Sequence, residues 1–291
     1  MMHKRILLAE SGATKTDWRL CEKGKVVQRF SSIGFNPSSL SQVDLQQAAQ
    51  NVFSIHSLDF PPTSIHFFGA GLRNSHPRNQ MQSMLRGLFP EVEQIWVGDD
   101  LQAACLATQR TKGIVAILGT GSNACEFDGG KITRRRGGLG YILGDEGSGV
   151  DLGKHLLIKI LQGDFTENTE RVILDQLQMD RETLRNQLYT EFKPVKWLGS
   201  LARTVHAFKH LPEICEMIIQ RFGAFIQGTL APLPHSRKYP VDFVGSIAIH
   251  FQEELISTLQ KAHIQQGKII SDPIERLVEV LTYDDFTDPL G

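Results

Sequence analysis

Two blocks of this chain repeat one plan, and the repeat restricts the folds open to it. In the first, Lys4 to Ala9 reads as a short apolar strand and Ser11-Gly12-Ala13-Thr14-Lys15-Thr16 as a turn of small residues. Asp17 to Cys21 is a second strand, Glu22-Lys23-Gly24-Lys25 a hairpin turn, and Val26 to Ser31 a third strand. In the second block, Gly113 to Leu118 (GIVAIL) is an apolar strand and Gly119-Thr120-Gly121-Ser122 a small-residue turn. Ala124 to Phe127 is a strand, Asp128-Gly129-Gly130-Lys131 a turn, and Ile132 to Arg136 a strand. Hairpins are common, but both blocks place the same Gly/Ser/Thr chemistry in the same slot. Self-similarity at this distance predicts two related domains, each opening with a β-meander.

Helices and strands alternate after each meander. The pattern predicts helix 39–55, strand 64–68, helix 77–88, strand 94–97 and helix 100–108 in the first half. In the second it predicts helix 146–161, a helical insertion at about 150–210, helix 211–231, strand 241–244, helix 246–263, strand 267–270 and a short helix 274–281. This alternation implies an α/β fold, with helices packed on a mixed sheet in each domain. A length of 291 residues supports the same count. The expected domains are 1–110 and 111–291, with Gln109-Arg110-Thr111-Lys112 as the linker.

Charge excludes some functions. Lys+Arg is 31 against Asp+Glu 32, a net charge of -1. Such a balance argues against a protein made to bind nucleic acid or an anionic membrane. Ile6 to Ala9 is too short for a signal-peptide core, and no stretch approaches a membrane span. Cys21, Cys105, Cys125 and Cys215 form no CxxC pair, so reduced thiols in a cytoplasmic protein are expected. His206 and His210 have a metal-like spacing but no third ligand nearby, and read as helix-surface residues. Arg134-Arg135-Arg136 reads as a solvated strand end.

Glycine-rich turns after strands suit phosphates, because backbone N–H groups can approach an anion where no side chain intervenes. Ala13-Thr14-Lys15-Thr16 lacks the glycine before lysine that a Walker loop needs, and no helix follows. Gly119-Thr120-Gly121-Ser122-Asn123-Ala124 matches the dinucleotide fingerprint after a strand, but that motif must open a helix. Asp128-Gly129-Gly130 arrives too soon for one. The remaining version is a pair of equivalent hairpin turns, SGATKT and GTGSN, facing each other across a cleft between the domains.

These motifs, in this order, resemble the sugar kinase–heat-shock chaperone–actin superfamily, and within it the branch holding N-acetylglucosamine kinases and BadF/BadG-type ATPases. SGATKTDW (11–18) is similar to the first phosphate motif and GTGSN (119–123) to the second. Gly98 to Ala104 resembles the connecting segment with the catalytic aspartate, residues 137–149 match GGxGxxxGDEGS, and Val244-Gly245-Ser246 resembles the adenosine motif. The resemblance implies two duplicated RNase H-like, or actin-like ATPase, domains. It also implies that the last helix packs back on the first domain. Many relatives begin the first motif with Asp where this chain has Glu10.

The implied reaction moves the γ-phosphoryl group of ATP to a sugar hydroxyl, with N-acetylglucosamine as the expected acceptor and Mg2+ on the phosphates. Gly12, Thr14 and Lys15 would contact phosphates from one side and Gly119, Thr120 and Gly121 from the other. Gly245 and Ser246 would lie against adenosine, and Glu10 would bind the metal through water. Asn36, Ser122, Asn123 and Asp145 match sugar-binding positions, and Asp100 would be the general base. The residues alone leave plainer roles open. Asp100 also suits a helix N-cap, Asn36 a turn before proline, Asp145-Glu146 the acidic start of helix 146–161, and Gly245-Ser246 a helix start.

Two other functions compete, and the resemblance leaves room for a homodimer. A BadF-type ATPase would activate a partner enzyme, but iron–sulfur members need grouped cysteines. A sugar sensor would want a DNA-binding helix-turn-helix, and this chain starts directly on its first strand.

Overall fold

The computed structural model describes residues 4–37, 40–190 and 194–282. The chain divides into two units. Unit 1 takes residues up to Lys112, the segment Phe127–Ile132 and the chain from Asp272 onward; unit 2 takes Gly113–Glu126 and Thr133–Ser271. The expected start of helix 39–55 and part of the 150–210 insertion fall outside the described residues.

Unit 1 is built on β1 (Arg5–Ser11), β2 (Lys15–Glu22), β3 (Lys25–Ile33), α1 (Gln42–Ile55), β4 (Ser64–Gly69), α2 (Ser75–Leu88), β5 (Gln94–Asp99) and α3 (Asp100–Thr108). Its sheet runs β3-β2-β1-β4-β5. The meander pairs are antiparallel, and β1–β4 and β4–β5 are parallel. Central β1 reads Arg-Ile-Leu-Leu-Ala-Glu-Ser, apolar on both faces because both are covered. Leu7 and Ala9 enter a core with Trp18, Phe35, Leu45 and Phe67. Ile6 and Leu8 enter another with Phe68, Ala103, Ile274, Leu277 and Leu281. The last three belong to the terminal helix Pro273–Leu281, whose Glu275 also accepts from Arg19 Nε on β2 at 2.6 Å.

Unit 2 repeats the arrangement with β6 (Lys112–Leu118), β7 (Ser122–Asp128), β8 (Lys131–Gly137), α4 (Gly149–Gln162), α5 (Glu167–Leu177), α6 (Arg181–Thr190), α7 (Pro194–Ser200), α8 (Ala202–Ala207), α9 (Pro212–Phe225), β9 (Val241–Val244), α10 (Ser246–His250), α11 (Gln252–Lys261) and β10 (Gln266–Ile270). Its sheet runs β10-β9-β6-β7-β8, the order of unit 1 read in equivalent strands. The duplicated mixed sheets, each opening with a meander, are the fold the sequence predicts. The stretch after Gly121 is β7 and not a helix, which removes the dinucleotide alternative.

Three helices differ from expectation. Helix 146–161 begins only at Gly149, capped by Ser148, whose side chain accepts from Asp151 N. Helix 211–231 ends at Phe225 and passes into a π-helical turn, Ile226–Leu230. That turn sets Thr229 against Gly137, where a Cβ would stand 3.3 Å from Thr229 Cγ2. Helix 246–263 is two helices, because Phe251 leaves helical geometry (φ -116, ψ 29) to bury its ring. Hydrophobic periodicity runs through such breaks undisturbed, so the sequence hides them.

Candidate functional site

In α/β sheets ligands collect at the carboxyl ends of parallel strands. The candidate residues of unit 1 sit there. β1 ends at Glu10-Ser11, β4 at Gly69 and β5 at Asp99, with Ser11 opposite Gly69 and Gly69 opposite Asp99. The β1–β2 turn carries Gly12, exposed Thr14 and exposed Lys15. It closes through Gly12 N–H donating to Lys15 O at 2.9 Å. Beneath it the Thr16 hydroxyl donates to Ser11 Oγ at 2.8 Å, and Ser11 Oγ accepts from Phe35 N at 2.9 Å. Gly34 backs the turn so closely that a Cβ would come within 2.6 Å of Gly12 O. Phe35, fully buried edge-on to Trp18, anchors this crossing and so fixes Asn36 beside the turn. Sequence reasoning passed over Gly34, although its place in Gly34-Phe35-Asn36-Pro37 was visible.

Lys15 is paired with Asp17 at 2.8 Å, and Asp17 also accepts from the Ser31 hydroxyl at 2.6 Å. Asp17 stands directly opposite Glu10 in the β1–β2 register, so two carboxylates share one face. Burial, then the charges of Asp100, Asp17 and Asp272, push Glu10 up from the ordinary 4.5 to about 7; Lys15 opposes them. A carboxyl so crowded by like charge favours either a proton or a cation. Among the described residues no group of three or more His, Cys, Asp or Glu is placed to hold a metal ion directly. Crowded by Asp100 and Asp17, Glu10 is the carboxylate here whose charge a divalent cation would offset.

The Glu10 shift has a testable sign. Between about pH 4.5 and 7 the folded protein holds a proton that the unfolded chain has released. Stability from this group is therefore present at low pH and falls as pH rises through that window. Without Mg2+, Glu10→Gln should gain in unfolding midpoint relative to the parent protein between pH 5 and pH 8. Parallel pH profiles for the two proteins would remove the assignment.

At the start of α3 the two aspartates divide their work. Asp99 is the N-cap, its Oδ1 accepting from Gln102 N at 2.9 Å while Gln102 Oε1 accepts from Asp99 N at 2.9 Å. Asp100 is the first residue of the helix, partly exposed, with Oδ1 accepting from Leu101 N at 2.9 Å. The N-cap role open to Asp100 in the sequence belongs to its neighbour.

The half-site of unit 2 sits at the carboxyl ends of β6 and β9. The turn Gly119-Thr120-Gly121 follows β6, and the first N–H groups of α4 hold its carbonyls: Gly149 N donates to Gly119 O at 2.8 Å and Val150 N to Thr120 O at 3.2 Å. The space where a Gly119 Cβ would point is open, with nothing within 4 Å. Gly245 presses on the turn from β9 at φ 112, and a Cβ there would lie 2.4 Å from Leu118 O. Ser246, exposed, opens α10 beside it.

Asp145 comes to the same turn. It takes a left-handed backbone (φ 63), and its Oδ1 accepts from Ser122 N at 3.3 Å. Burial raises its carboxyl above the usual range, against the Ser122 hydrogen bond. The left-handed turn at 145–147 precedes α4, so Asp145-Glu146 is not the acidic first turn of that helix. The Ser122 hydroxyl is buried and donates to Glu146 O at 2.8 Å, so it ties this turn in place. Asn123 follows, and Gly138 packs near its side chain. Unit 1 thus gathers Glu10, Gly12, Thr14, Lys15, Asn36 and Asp100; unit 2 gathers Gly119, Thr120, Gly121, Ser122, Asn123, Asp145, Gly245 and Ser246. The four cysteines are free, and no described helix is long and apolar enough to cross a membrane.

A doubled β-meander sheet with a hydroxyl- and glycine-rich turn after each first strand defines the class: the chain has the actin-like ATPase fold. No protein-family model matches it. A Streptomyces griseus glucokinase of the ROK family, solved with glucose and AMPPNP, superposes with TM-score 0.62 at 11% identity, over 96% of this chain and 97% of that one. A Porphyromonas gingivalis structure described as a candidate N-acetylglucosamine kinase reaches TM-score 0.90 at 28% identity, over 97% of this chain and 100% of that one. In sequence, the N-acetylmuramic acid/N-acetylglucosamine kinase of Clostridium acetobutylicum is 31% identical over 144 residues, 47% of each protein. The match thus spans about half the length of that curated relative. The chain is thus similar, in fold and over half its length in sequence, to proteins described as N-acetylglucosamine kinases.

Proposed function

We propose that the protein is an ATP-dependent amino-sugar kinase acting in the cytoplasm, with N-acetylglucosamine as its acceptor. One observation carries the reading. A single turn, residues 119–123, joins a glycine cradle braced by α4 and Gly245 to the acceptor-type residues Asn123 and Asp145. Nucleotide and sugar determinants on one loop suit a phosphotransferase more than a bare ATPase. The names of the Porphyromonas and Clostridium proteins point the same way.

In this reading the backbone of the turn at Gly119, Thr120 and Gly121 receives phosphate oxygens, as does the β1–β2 turn at Gly12 and Thr14. Lys15 exchanges Asp17 for phosphate, and Gly245 and Ser246 meet adenosine. Asn36, Asn123 and Asp145 accept or donate hydrogen bonds to sugar hydroxyls, while Ser122 holds their loop. Glu10 would hold Mg2+ through water, and the ion would neutralise phosphate charge. Asp100 takes the proton of the acceptor hydroxyl as its oxygen bonds in line to the γ-phosphorus, and ADP leaves as the bond to the β-phosphate oxygen breaks.

ADP release from Mg-ATP, with and without N-acetylglucosamine, glucosamine and glucose, tests the proposal. Turnover should depend on sugar and favour N-acetylglucosamine. Sugar-independent hydrolysis would replace the kinase with an ATPase, and saturable sugar binding without turnover would make the protein a sensor.

A further inference from the structure

Asp145 holds an unfavourable backbone conformation, and its turn needs restraint. A left-handed non-glycine residue costs on the order of 1 kcal/mol and persists only where its surroundings impose it. One restraint is a charged pair away from the candidate binding atoms. Asp151, in the first turn of α4, is 2% exposed. Its Oδ2 accepts from Gly147 N at 2.9 Å and from Arg221 Nε of α9 at 2.7 Å. Its Oδ1 faces Arg221 Nη2 at 3.4 Å and His155 Nδ1 at 3.2 Å, and Lys154 Nζ stands 3.7 Å away. Burial alone would raise the Asp151 carboxyl, but hydrogen bonds from His155, Arg221 and Gly147 bring it below the usual range.

The pair also sets where the turn lies on α9. Gly147 (φ 71) packs so closely there that a Cβ would meet Phe225 Cβ at 3.0 Å and Phe222 Cδ1 at 3.2 Å. The peptide joining Glu146 to Gly147 is therefore held through both its carbonyl and its N–H. Ser122 holds Glu146 O from β7, and Asp151, itself fixed by Arg221, holds Gly147 N. Asp145 lies next to both pins.

We infer that the Asp151–Arg221 pair is a positioning device for the acceptor sugar: through Gly147 it fixes the turn that aims the Asp145 carboxyl. This rests on the reading of Asp145 as a sugar contact. The pair makes no hydrogen bond to the Gly119 turn or Gly245, and the Gly149 and Val150 bonds that hold that turn are separate from it, so its effect should fall mainly on the sugar.

The test compares Arg221→Met, Arg221→Lys and the charge-free double variant Asp151→Asn/Arg221→Met with the parent protein. Arg221→Met should raise the KM for N-acetylglucosamine at least about tenfold, with kcat and the KM for ATP within about threefold. Arg221→Lys, which keeps the charge, should recover part of the loss. If Arg221→Met leaves a buried carboxylate too costly to fold, the double variant removes that charge and carries the same expectation. Hydrogen exchange gives a readout independent of turnover. Amides of Gly147 and Ser148 should lose protection in these variants while the rest of α4 keeps it. An unchanged sugar KM in a folded variant, or exchange rising evenly across unit 2, would overturn the inference. If the parent protein phosphorylates no sugar, the kinase reading fails by itself, and local exchange at 147–148 still decides whether the pair restrains the turn.

Discussion

Asp100→Asn should lower sugar-dependent turnover by about two to four orders of magnitude, while sugar affinity changes by about threefold or less. The substitution keeps shape and one acceptor but removes the capacity to take a proton. The helix should survive it, because the cap that starts α3 belongs to Asp99 and Gln102. Its neighbourhood changes in a readable way as well. Asp100 is the largest charged contributor to the raised Glu10 carboxyl, so removing its charge should move Glu10 back toward 4.5. Single-turnover phosphoryl transfer measured alongside sugar binding separates the steps. A variant with near-normal turnover would end the assignment of Asp100 as base.

Gly245→Ala should be strongly damaging to unit 2. The residue sits at φ 112, ψ 156, a region open essentially to glycine. The new Cβ would also stand 2.4 Å from Leu118 O and 3.2 Å from Gly119 N, both backbone atoms that cannot rotate aside. Relief requires β9 and the Gly119 turn to part, which distorts the cradle that α4 holds. A loss of roughly 2 kcal/mol or more in stability, with at least a tenfold rise in the KM for ATP, is expected. Gly223→Ala, in α9, serves as the control, since a Cβ there meets nothing within 4 Å. Thermal unfolding and nucleotide titration of both variants check this. Normal values for Gly245→Ala would mean that the junction yields more easily than the geometry allows.

The duplicated architecture was legible because it is written in local chemistry. Strand, small-residue turn, strand and glycine hairpin appear in the same order twice, and the two sheets follow in equivalent order. The grouping of Gly119 to Asn123 with Asp145 was legible only through the resemblance, since nothing local announces that residue 145 returns to residue 122. Helix starts were misplaced where glycine-rich turns borrow helical residues, as at 146–148. The partners that explain the site were hidden for another reason. Asp17 faces Glu10 through strand register, Gly34 backs Gly12 through a crossing, and Arg221 reaches Asp151 across helices. Each needs a distance between residues well separated in sequence, and periodicity carries none.

The terminal helix Pro273–Leu281 has a consequence for how the protein is made. Its Ile274, Leu277 and Leu281 close one face of the sheet that β1 begins, so the earliest strands wait for nearly the last described residues to emerge from the ribosome. Until then Ile6, Leu8, Phe68 and Ala103 present an open greasy face, and Arg19 lacks Glu275. The second unit, continuous apart from one short hairpin, closes with β10 just before that helix. Unit 1, whose strands are translated first, therefore gains its last core residues after those of unit 2.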